Sequence, residues 1–313
     1  MDGSGGDYCF YVRRGHAYGW KNNFRLRRRS ENDFGKNDRR KSMKRIEMSI
    51  EEIHEVTLAI LKKIDAIAEE IGIRYFMAYG SLIGVVRHRG FIPWDDDLDM
   101  MMIREDYEKF LAYFEEHEQE LVPYKIFNNR NNAGYPHMIT RVCNVEYPIE
   151  VDNEIPCGMG VFVDIYPIDP MGNDEKEWER VMHYRQQLIA GSYYASRIRF
   201  EKPGKSYRCL DRYLLYRYAK KRGLAYFLNK LESYKNRYRW EDSRYAGCIV
   251  WEPELFEKEY FEEVTRLPFC DMQVMVPKEY DRMLTTSYGD YMQLPPKEAQ
   301  KPQHNYTAYR VEA

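Results

Sequence analysis

The 313-residue sequence lacks the features that mark membrane-spanning, secreted and disulfide-stabilised proteins. No apolar run approaches the roughly 20 residues of a membrane-spanning helix, and the first residues contain no apolar core of a secretory signal. The six cysteines are scattered, with no C-x-x-C pair, which argues against a zinc site and a disulfide framework. We therefore expect a cytoplasmic protein, in a reducing compartment.

The sequence also has little net charge, -2 in total, but this charge is unevenly distributed. Residues 1–45 hold 13 Lys/Arg against 5 Asp/Glu, and residues 180–240 hold 16 against 3. The remainder is strongly acidic, so the asymmetry predicts an anionic partner for at least one basic segment. Residues 1–45 are predicted to be a disordered tail. Because Met43 and Met48 precede the first helix pattern, a start codon assigned too far upstream is the alternative for this segment.

The stretch Tyr79–Met102, with the sequence YGSLIGVVRHRGFIPWDDDLDMMM, is the most informative part of the chain. It ends in four aspartates, namely Asp95, Asp96, Asp97 and Asp99. In Asp97-Leu98-Asp99, the alternation of a strand places both carboxylates on one face. Mg2+ usually takes one or two protein carboxylates and leaves its other positions to water and phosphate. The stretch therefore predicts a metal-dependent phosphoryl-transfer site.

The residues before the aspartates indicate a helix, a strand and a phosphate-binding turn. Ser49 and Glu52 have the capping-box spacing, and isoleucines at three- and four-residue steps predict a helix that ends at Gly72. A strand is expected over residues 73–78. Gly80 and Ser81 would then form a strand-to-helix turn, with Ser81 capping the next helix, where backbone amides favour phosphate.

The elements after the aspartates alternate between strands and helices. We predict a strand over 98–103, a helix over 104–117, strands over 124–128, 138–143 and 160–166, and a mainly helical region from 174 to about 236. Pro167 and Pro170 are expected to end the strand over 160–166, and Pro203-Gly204 to interrupt the helices.

Asp164 lies among apolar residues in the strand over 160–166 and is a candidate third carboxylate. Two-metal phosphoryl transfer uses such a set, in which two carboxylates bridge the ions and a third holds the ion that activates the attacking hydroxyl. The alternative is that the acidic run is a solvated turn and that Asp164 is a satisfied strand-end residue.

Arg87, His88 and Trp94 are candidate substrate-binding residues. Arg87 could contact phosphate or pair with the nearby aspartates, His88 could shuttle a proton or serve only as a hydrogen-bonding residue, and Trp94 could stack on a base or a choline-like cation or pack in the core. The basic, tyrosine-rich region over 180–240 could bind an anionic acceptor or a membrane surface, or form a helical cap with a solvated face.

Four segments together resemble the LicD family, which is shared in outline with fukutin-type sugar-phosphate transferases. The segments are EEIGIRYFMAYGS, GSLIGVVRHRGFIPWDDDLDMMM, VFVDIYPID and VPKEYDRMLTTSYGDYMQLPPKE. The resemblance covers roughly residues 48–300. It implies an α+β fold, with a nucleotidyltransferase-like mixed sheet, flanking helices and a basic helical insertion. The corresponding divisions are a core over 46–173, basic helices over 174–250 and a C-terminal part over 251–313.

The resemblance also implies an activity and a set of site residues. Well-known members of the family are similar in moving phosphocholine from CDP-choline onto a hydroxyl of lipopolysaccharide or teichoic acid. By motif match, Asp97, Asp99 and Asp164 would be catalytic metal ligands, and Gly80 and Ser81 would contact phosphate.

We therefore expect a Mg2+-dependent transferase, with Mn2+ as a second cation, that uses a CDP-linked small-molecule donor and a glycan or lipid-linked glycan acceptor. Peripheral contact with the inner face of the membrane is a further expectation, whereas nucleic acid is not an expected partner. Two rival classes are a nucleotidyltransferase that makes an activated alcohol or sugar from a nucleoside triphosphate, and an inactive binding protein with the same fold.

Overall fold

The computed structural model describes residues 44–201, 209–249, 255–302 and 304–312. In these ranges the fold is α+β, as predicted, with a curled and mostly antiparallel sheet and surrounding helices. The helices are α1 (Ile50–Ile71), α2 (Tyr79–Ile83), α3 (Arg104–Glu116), α4 (Glu175–Ser196), α5 (Cys209–Arg222), α6 (Leu224–Glu232) and α7 (Tyr280–Tyr288). The strands are β1 (Lys44–Glu47), β2 (Phe76–Met77), β3 (Asp99–Ile103), β4 (Tyr124–Phe127), β5 (Thr140–Val151), β6 (Gly160–Gly172), β7 (Tyr245–Cys248), β8 (Phe256–Glu257), β9 (Val264–Phe269), β10 (Met272–Pro277) and β11 (Tyr306–Glu312).

Helix α1 forms for the reasons that its sequence indicates. Ser49 caps it and shares a capping box with Glu52, while Gly72 closes it in the left-handed conformation at φ 67°. Ile60 and Ile64 are fully buried on its apolar face. The predicted start and end of this helix are confirmed.

The large sheet has the strand order β1-β11-β5-β6-β3-β2, while β4 pairs with β5, and β7 pairs with β6 and β8. Strands β3 and β6 run parallel, and the other pairs are antiparallel. Strands β9 and β10 form a separate hairpin. This order places β3, β6 and β5 side by side at the centre of the sheet.

Strand β6 continues through both of its prolines, so the prediction that Pro167 and Pro170 end it is wrong. Along one edge of β6, the pairing with β5 stops at Ile165 and the pairing with β7 starts at Ile168. Pro167 has no backbone N–H, and it falls where the partner strand changes. The strand therefore tolerates the missing donor there.

Other elements differ from the predictions in length. Strand β2 has only two residues, β5 extends eight residues beyond the predicted end at Cys143, and β3 begins one residue later than expected. The predicted helical region contains α4, α5 and α6, and both α5 and α6 pack on α4. The predicted break at Pro203-Gly204 lies outside the described residues.

Most of the predicted basic tail, residues 1–43, also lies outside the described residues. Lys44 and Arg45 belong to β1, which pairs with β11. The proposed division of the chain at residues 173 and 250 stays a prediction. Across the ranges that the structure describes, no helix is both long and apolar enough to cross a bilayer.

Candidate active site

A row of three charged residues crosses the central strands. In the strand register, Asp99 of β3 lies opposite Asp164 of β6, which in turn lies opposite Arg141 of β5. Residues that are directly opposite in a sheet point to the same face. The fold thus brings together Asp99 and Asp164, which are far apart in sequence, as the sequence predicted, and adds a guanidinium beside them.

Asp97 lies two residues before the start of β3 and completes the acidic cluster. Its charge acts on both Asp99 and Asp164. The loop that carries it is anchored by His54 of α1, whose Nε2 donates to the backbone oxygen of Asp95 at 2.6 Å. Helix α1 therefore anchors the acidic loop at Asp95.

Ser81 and Gly80 lie next to this loop. The prediction that Ser81 caps the next helix is wrong. Ala78 is the N-cap of α2, without a side-chain bond, and Ser81 lies inside the helix. Its hydroxyl oxygen accepts a hydrogen bond from the backbone N–H of Asp99 at 2.8 Å. At Gly80, a Cβ atom would lie 2.8 Å from Oδ2 of Asp95, so the close approach of this carboxylate requires glycine.

Two residues near the C-terminus contact the same loop, and the sequence interpretation missed both. Nδ1 of His304 lies 2.7 Å from Oδ1 of Asp96, and its Nε2 lies 3.1 Å from Oδ2 of Asp97. The Tyr306 hydroxyl donates to the backbone oxygen of Asp96. No local pattern signals these contacts, because they join residues 207 to 210 positions apart.

Arg141 is a third residue that the sequence interpretation missed. Its Nε donates to Oδ1 of Asp164 at 2.8 Å, and its Nη2 contacts Oδ2 at 3.4 Å. Its guanidinium also lies 4.0 Å from the centre of the Phe162 ring. The sequence showed Arg141 only as a basic residue in a strand, so nothing linked it to Asp164.

The aspartates strongly perturb one another. Burial, followed by the charge of Asp97, raises the pKa of Asp95 to about 8. Burial and the charges of Asp97 and Asp164 hold the pKa of Asp99 well above its usual range. Burial alone would lower the pKa of His304, but Asp97 and Asp96 raise it to about 10. One imidazolium therefore offsets only part of the negative charge in the cluster.

The Asp99 carboxylate is the observation that bears on a bound cation. Its Oδ1 is buried and has no hydrogen-bond partner among the described residues, which is costly for a carboxylate unless a cation or donor meets it. Oxygen ligands from Asp97 and Asp99 match the preference of Mg2+ for one or two carboxylates. Within the described ranges no three His, Cys, Asp or Glu residues converge on a metal-sized site. The Asp164 carboxylate instead binds Arg141, so the fit rests on two ligands.

The three accessory candidates contact each other and the C-terminal region. Nη1 of Arg87 donates to the backbone oxygens of Tyr291 and Gln293, at 2.7 and 3.1 Å, and its Nε donates to Nε2 of His88. Burial and then Arg87 lower the pKa of His88, which suits its role as the acceptor. The ring of Trp94 meets that of His88 edge-on at 6.2 Å. In the described part of the chain, Arg87 forms no ion pair with the aspartates.

Comparison with known proteins identifies the domain that holds the cluster. Residues 72–198 match the family model described as LicD/FKTN/FKRP, nucleotidyltransferase domain. The chain carries a LicD-family domain. The predicted resemblance is thus confirmed, and the LicD match contains Gly80, Ser81 and all of the aspartates, but not His304.

Similarity to a LicD protein extends well beyond that domain. The chain is 29% identical over 273 residues to the lipopolysaccharide cholinephosphotransferase LicD of Haemophilus influenzae, a match that covers 84% of this chain and 98% of the relative. Uncharacterized proteins of Rickettsia typhi and Rickettsia prowazekii are 34% identical over 77 residues and 36% identical over 64 residues. These shorter matches cover 22% and 21% of the two relatives.

Proposed function

We propose that this protein is a LicD-type phosphotransferase that moves a phosphoryl-alcohol group from a CDP-linked donor to a glycan hydroxyl. The preferred group is phosphocholine. The observation that carries the proposal is the similarity to a cholinephosphotransferase over 98% of that relative's length. The buried aspartate cluster inside the matched domain supports it. The preferred acceptor is a lipopolysaccharide precursor, and a teichoic acid precursor is the second. In this proposal the protein acts in the cytoplasm.

Asp97 and Asp99 would hold Mg2+, or Mn2+ as the alternative. When bound, the cation would neutralise the charge on the donor diphosphate and on the departing nucleotide. The unpartnered Oδ1 of Asp99 supports this role. Ser81 fixes the backbone of Asp99 and keeps its own hydroxyl proton, with which it can donate to phosphate.

In the proposed reaction, the acceptor oxygen forms a bond to the phosphorus of the phosphoryl-alcohol group, and the bond from that phosphorus to the CMP oxygen breaks. The electron pair leaves with CMP. The proton of the acceptor hydroxyl passes to Oδ2 of Asp164, whose contact with Arg141 is the longer of the two at 3.4 Å. Arg141 thereby orients Asp164 and leaves this oxygen able to accept the proton.

The test is donor binding by calorimetry with Mg2+ present, followed by detection of released CMP. The donor panel contains CDP-choline, CDP-ribitol, CDP-glycerol, CTP and UDP-glucose, and the variants are Asp97→Asn and, as control, the exposed Asp290→Asn. We expect one CDP-alcohol to bind in a way that needs Mg2+ and Asp97. Asp97→Asn should reduce turnover by at least roughly 100-fold. An Asp97→Asn protein with wild-type turnover would contradict the proposal.

A nucleotidyltransferase is the second candidate, because the matching family model is described as a nucleotidyltransferase domain. It would consume CTP or another nucleoside triphosphate and release pyrophosphate rather than CMP. Binding of CTP alone, with pyrophosphate release on addition of a phosphorylated alcohol, would favour this function. Donor binding without any turnover would instead indicate an inactive binding protein.

A further inference from the structure

Helix α5 exposes four large side chains to solvent. Leu210 is 66% exposed, Leu214 56%, Tyr218 43% and Tyr213 40%. The only buried residue of the helix is Ala219, which lies half a turn away from Leu210 on the helical wheel. Leu215 is half-buried on the same side as Ala219, so α5 has apolar residues on both faces, and those on the outer face remain uncovered.

The exposed residues form one continuous stripe with two cations inside it. They recur at three- and four-residue steps, which places them on one face. The stripe consists of Leu210, Tyr213, Leu214, Arg217, Tyr218 and Lys221. Across the residues that the structure describes, neither Arg217 nor Lys221 forms an ion pair. The two cations are thus open to an anionic partner.

Contacts beside the stripe fix α5 to the body of the protein. Lys220 donates to the backbone oxygens of Ala195 and Arg197, at 3.1 and 2.9 Å, near the end of α4. The hydroxyl of Tyr216 donates to the backbone oxygen of Ile198 at 3.4 Å. Ile198 is itself 57% exposed and adds to the apolar surface beside the helix. Together with the buried Ala219, these contacts on one flank of α5 leave the stripe facing solvent.

We propose that this stripe is a docking surface for an anionic phospholipid bilayer. Exposed leucines can insert at the edge of the hydrocarbon region, tyrosine favours the headgroup region, and lysine and arginine attract anionic headgroups. The helix contains five Lys/Arg and one Asp, which complements a negatively charged leaflet. It has 14 residues and too much charge to span the membrane, so it would lie flat on the surface.

The experiment is flotation of the full-length protein with vesicles. One set contains equal parts of phosphatidylglycerol and phosphatidylcholine, and the other contains phosphatidylcholine alone. We expect binding to the anionic vesicles that weakens at about 1 M salt, where surface charges are screened. Absence of binding to the anionic vesicles, or equal binding to both sets, overturns the proposal.

Two double variants test the leucines and the cations of the stripe. Leu210→Glu with Leu214→Glu, and Arg217→Glu with Lys221→Glu, should each weaken vesicle binding by roughly tenfold or more. Val122→Glu, at a 62% exposed apolar residue outside this stripe, is the control and should bind as the wild type does. Circular dichroism melts would confirm that all variants fold, because every changed side chain is exposed.

A second copy of this chain is the rival occupant. If sedimentation velocity shows a dimer that the Leu210→Glu, Leu214→Glu variant abolishes, while vesicle binding is absent, the stripe is a self-association surface and the proposal falls. The readouts are binding and association, not turnover. Failure here is therefore distinguishable from failure of the proposed transferase activity.

Discussion

At the scale of single residues, Asp99 has the most unfavourable environment in the cluster. Its carboxylate is buried and is repelled by Asp97 and Asp164, and its Oδ1 has no hydrogen-bond partner in the described ranges. Like charges that share a buried site destabilise the folded state unless a cation compensates for them. We therefore expect the aspartate cluster to lower the free energy of unfolding of the metal-free protein.

Asp99→Asn is expected to raise the stability of the metal-free protein while abolishing its response to Mg2+. Removal of one buried negative charge should raise the unfolding free energy of the metal-free protein, because burial and the charges of Asp97 and Asp164 disfavour the ionised carboxylate. Thermal melts with and without Mg2+ measure both effects, and Asp290→Asn is the exposed control. If Asp99→Asn keeps the full stabilisation by Mg2+, this residue is not a metal ligand.

His137, which lies outside the aspartate cluster, should make the stability of the protein depend on pH. Burial, and then the charges of Arg141 and Arg197, hold its pKa well below the usual value. Below about pH 6.5 the unfolded chain binds a proton at this residue that the folded protein does not bind. The free energy of unfolding should therefore fall as the pH falls through that value, by up to about 1.4 kcal/mol per pH unit.

The measurement is urea denaturation at two pH values. One is pH 7.5, and the other is about pH 5.5, which is one unit below the usual histidine pKa. His137→Gln should shrink the difference in unfolding free energy between these conditions. The exposed His183→Gln should leave it as in the wild type. A His137→Gln protein with an unchanged difference would contradict the assignment.

At the residue scale, local spacing singled out carboxylates that the structure brings into one buried cluster, and their role as metal ligands stays a prediction. Asp97, Asp99 and Asp164 were recognisable because each is a carboxylate in or beside an apolar strand. Arg141 and His304 were not, because their roles depend on strand register and on contacts between distant parts of the chain. Sequence spacing does not report such contacts.

At the scale of elements, the junction between α2 and β3 controls the geometry of the site. The bond from the Asp99 N–H to the Ser81 hydroxyl joins the helix to the first residue of the strand. Helix α2 continues directly as the π-helical turn Gly84–His88, in which Arg87 and His88 reach the C-terminal region. Such turns are frequently found at functional sites.

Ser81→Ala is expected to loosen this junction. It leaves the buried N–H of Asp99 without its acceptor, which should cost about 1–3 kcal/mol in unfolding free energy. Turnover should fall as well, because Asp99 shifts. Ser81→Cys, which keeps a weak acceptor, and the half-buried Ser287→Ala serve as comparisons in urea denaturation and CMP-release assays. Wild-type stability in Ser81→Ala would show that the bond is dispensable.

Elements with strong local signals were the predictable ones. Helix α1 has both caps and a regular isoleucine spacing, and its bounds were correct. Strand β6 was predicted too short, since a single strand segment cannot show that its partner changes at Pro167. The outward-facing stripe of α5 also escaped prediction, because composition alone does not show which face of a helix is covered.

At the scale of the whole molecule, the two ends of the described chain meet beside the site. Strand β11 pairs with β1 on one side and β5 on the other, and it follows directly after the segment that carries His304. His304 bridges Asp96 and Asp97. The closing strand thus delivers the positive charge that the acidic loop needs.

His304→Gln is expected to destabilise the metal-free protein by about 1–3 kcal/mol, since it removes a charged hydrogen bond from Asp96 and an ion pair from Asp97. Because the variant leaves more negative charge uncompensated, Mg2+ should stabilise it more than it stabilises the wild type. Differential scanning fluorimetry with increasing Mg2+ measures this difference, and His183→Gln is the control. An equal Mg2+ response in both proteins would rule out charge compensation by His304.

The position of His304 has a consequence for synthesis on the ribosome. The four aspartates of the loop emerge from the exit tunnel about two hundred residues before the imidazole that bridges two of them. A nascent chain that stopped short of β11 would carry an acidic loop that lacks this partner and a sheet whose β5 edge is open. Termination before residue 304 should therefore yield a product that chaperones retain and proteases degrade, even though every aspartate of the cluster has been made.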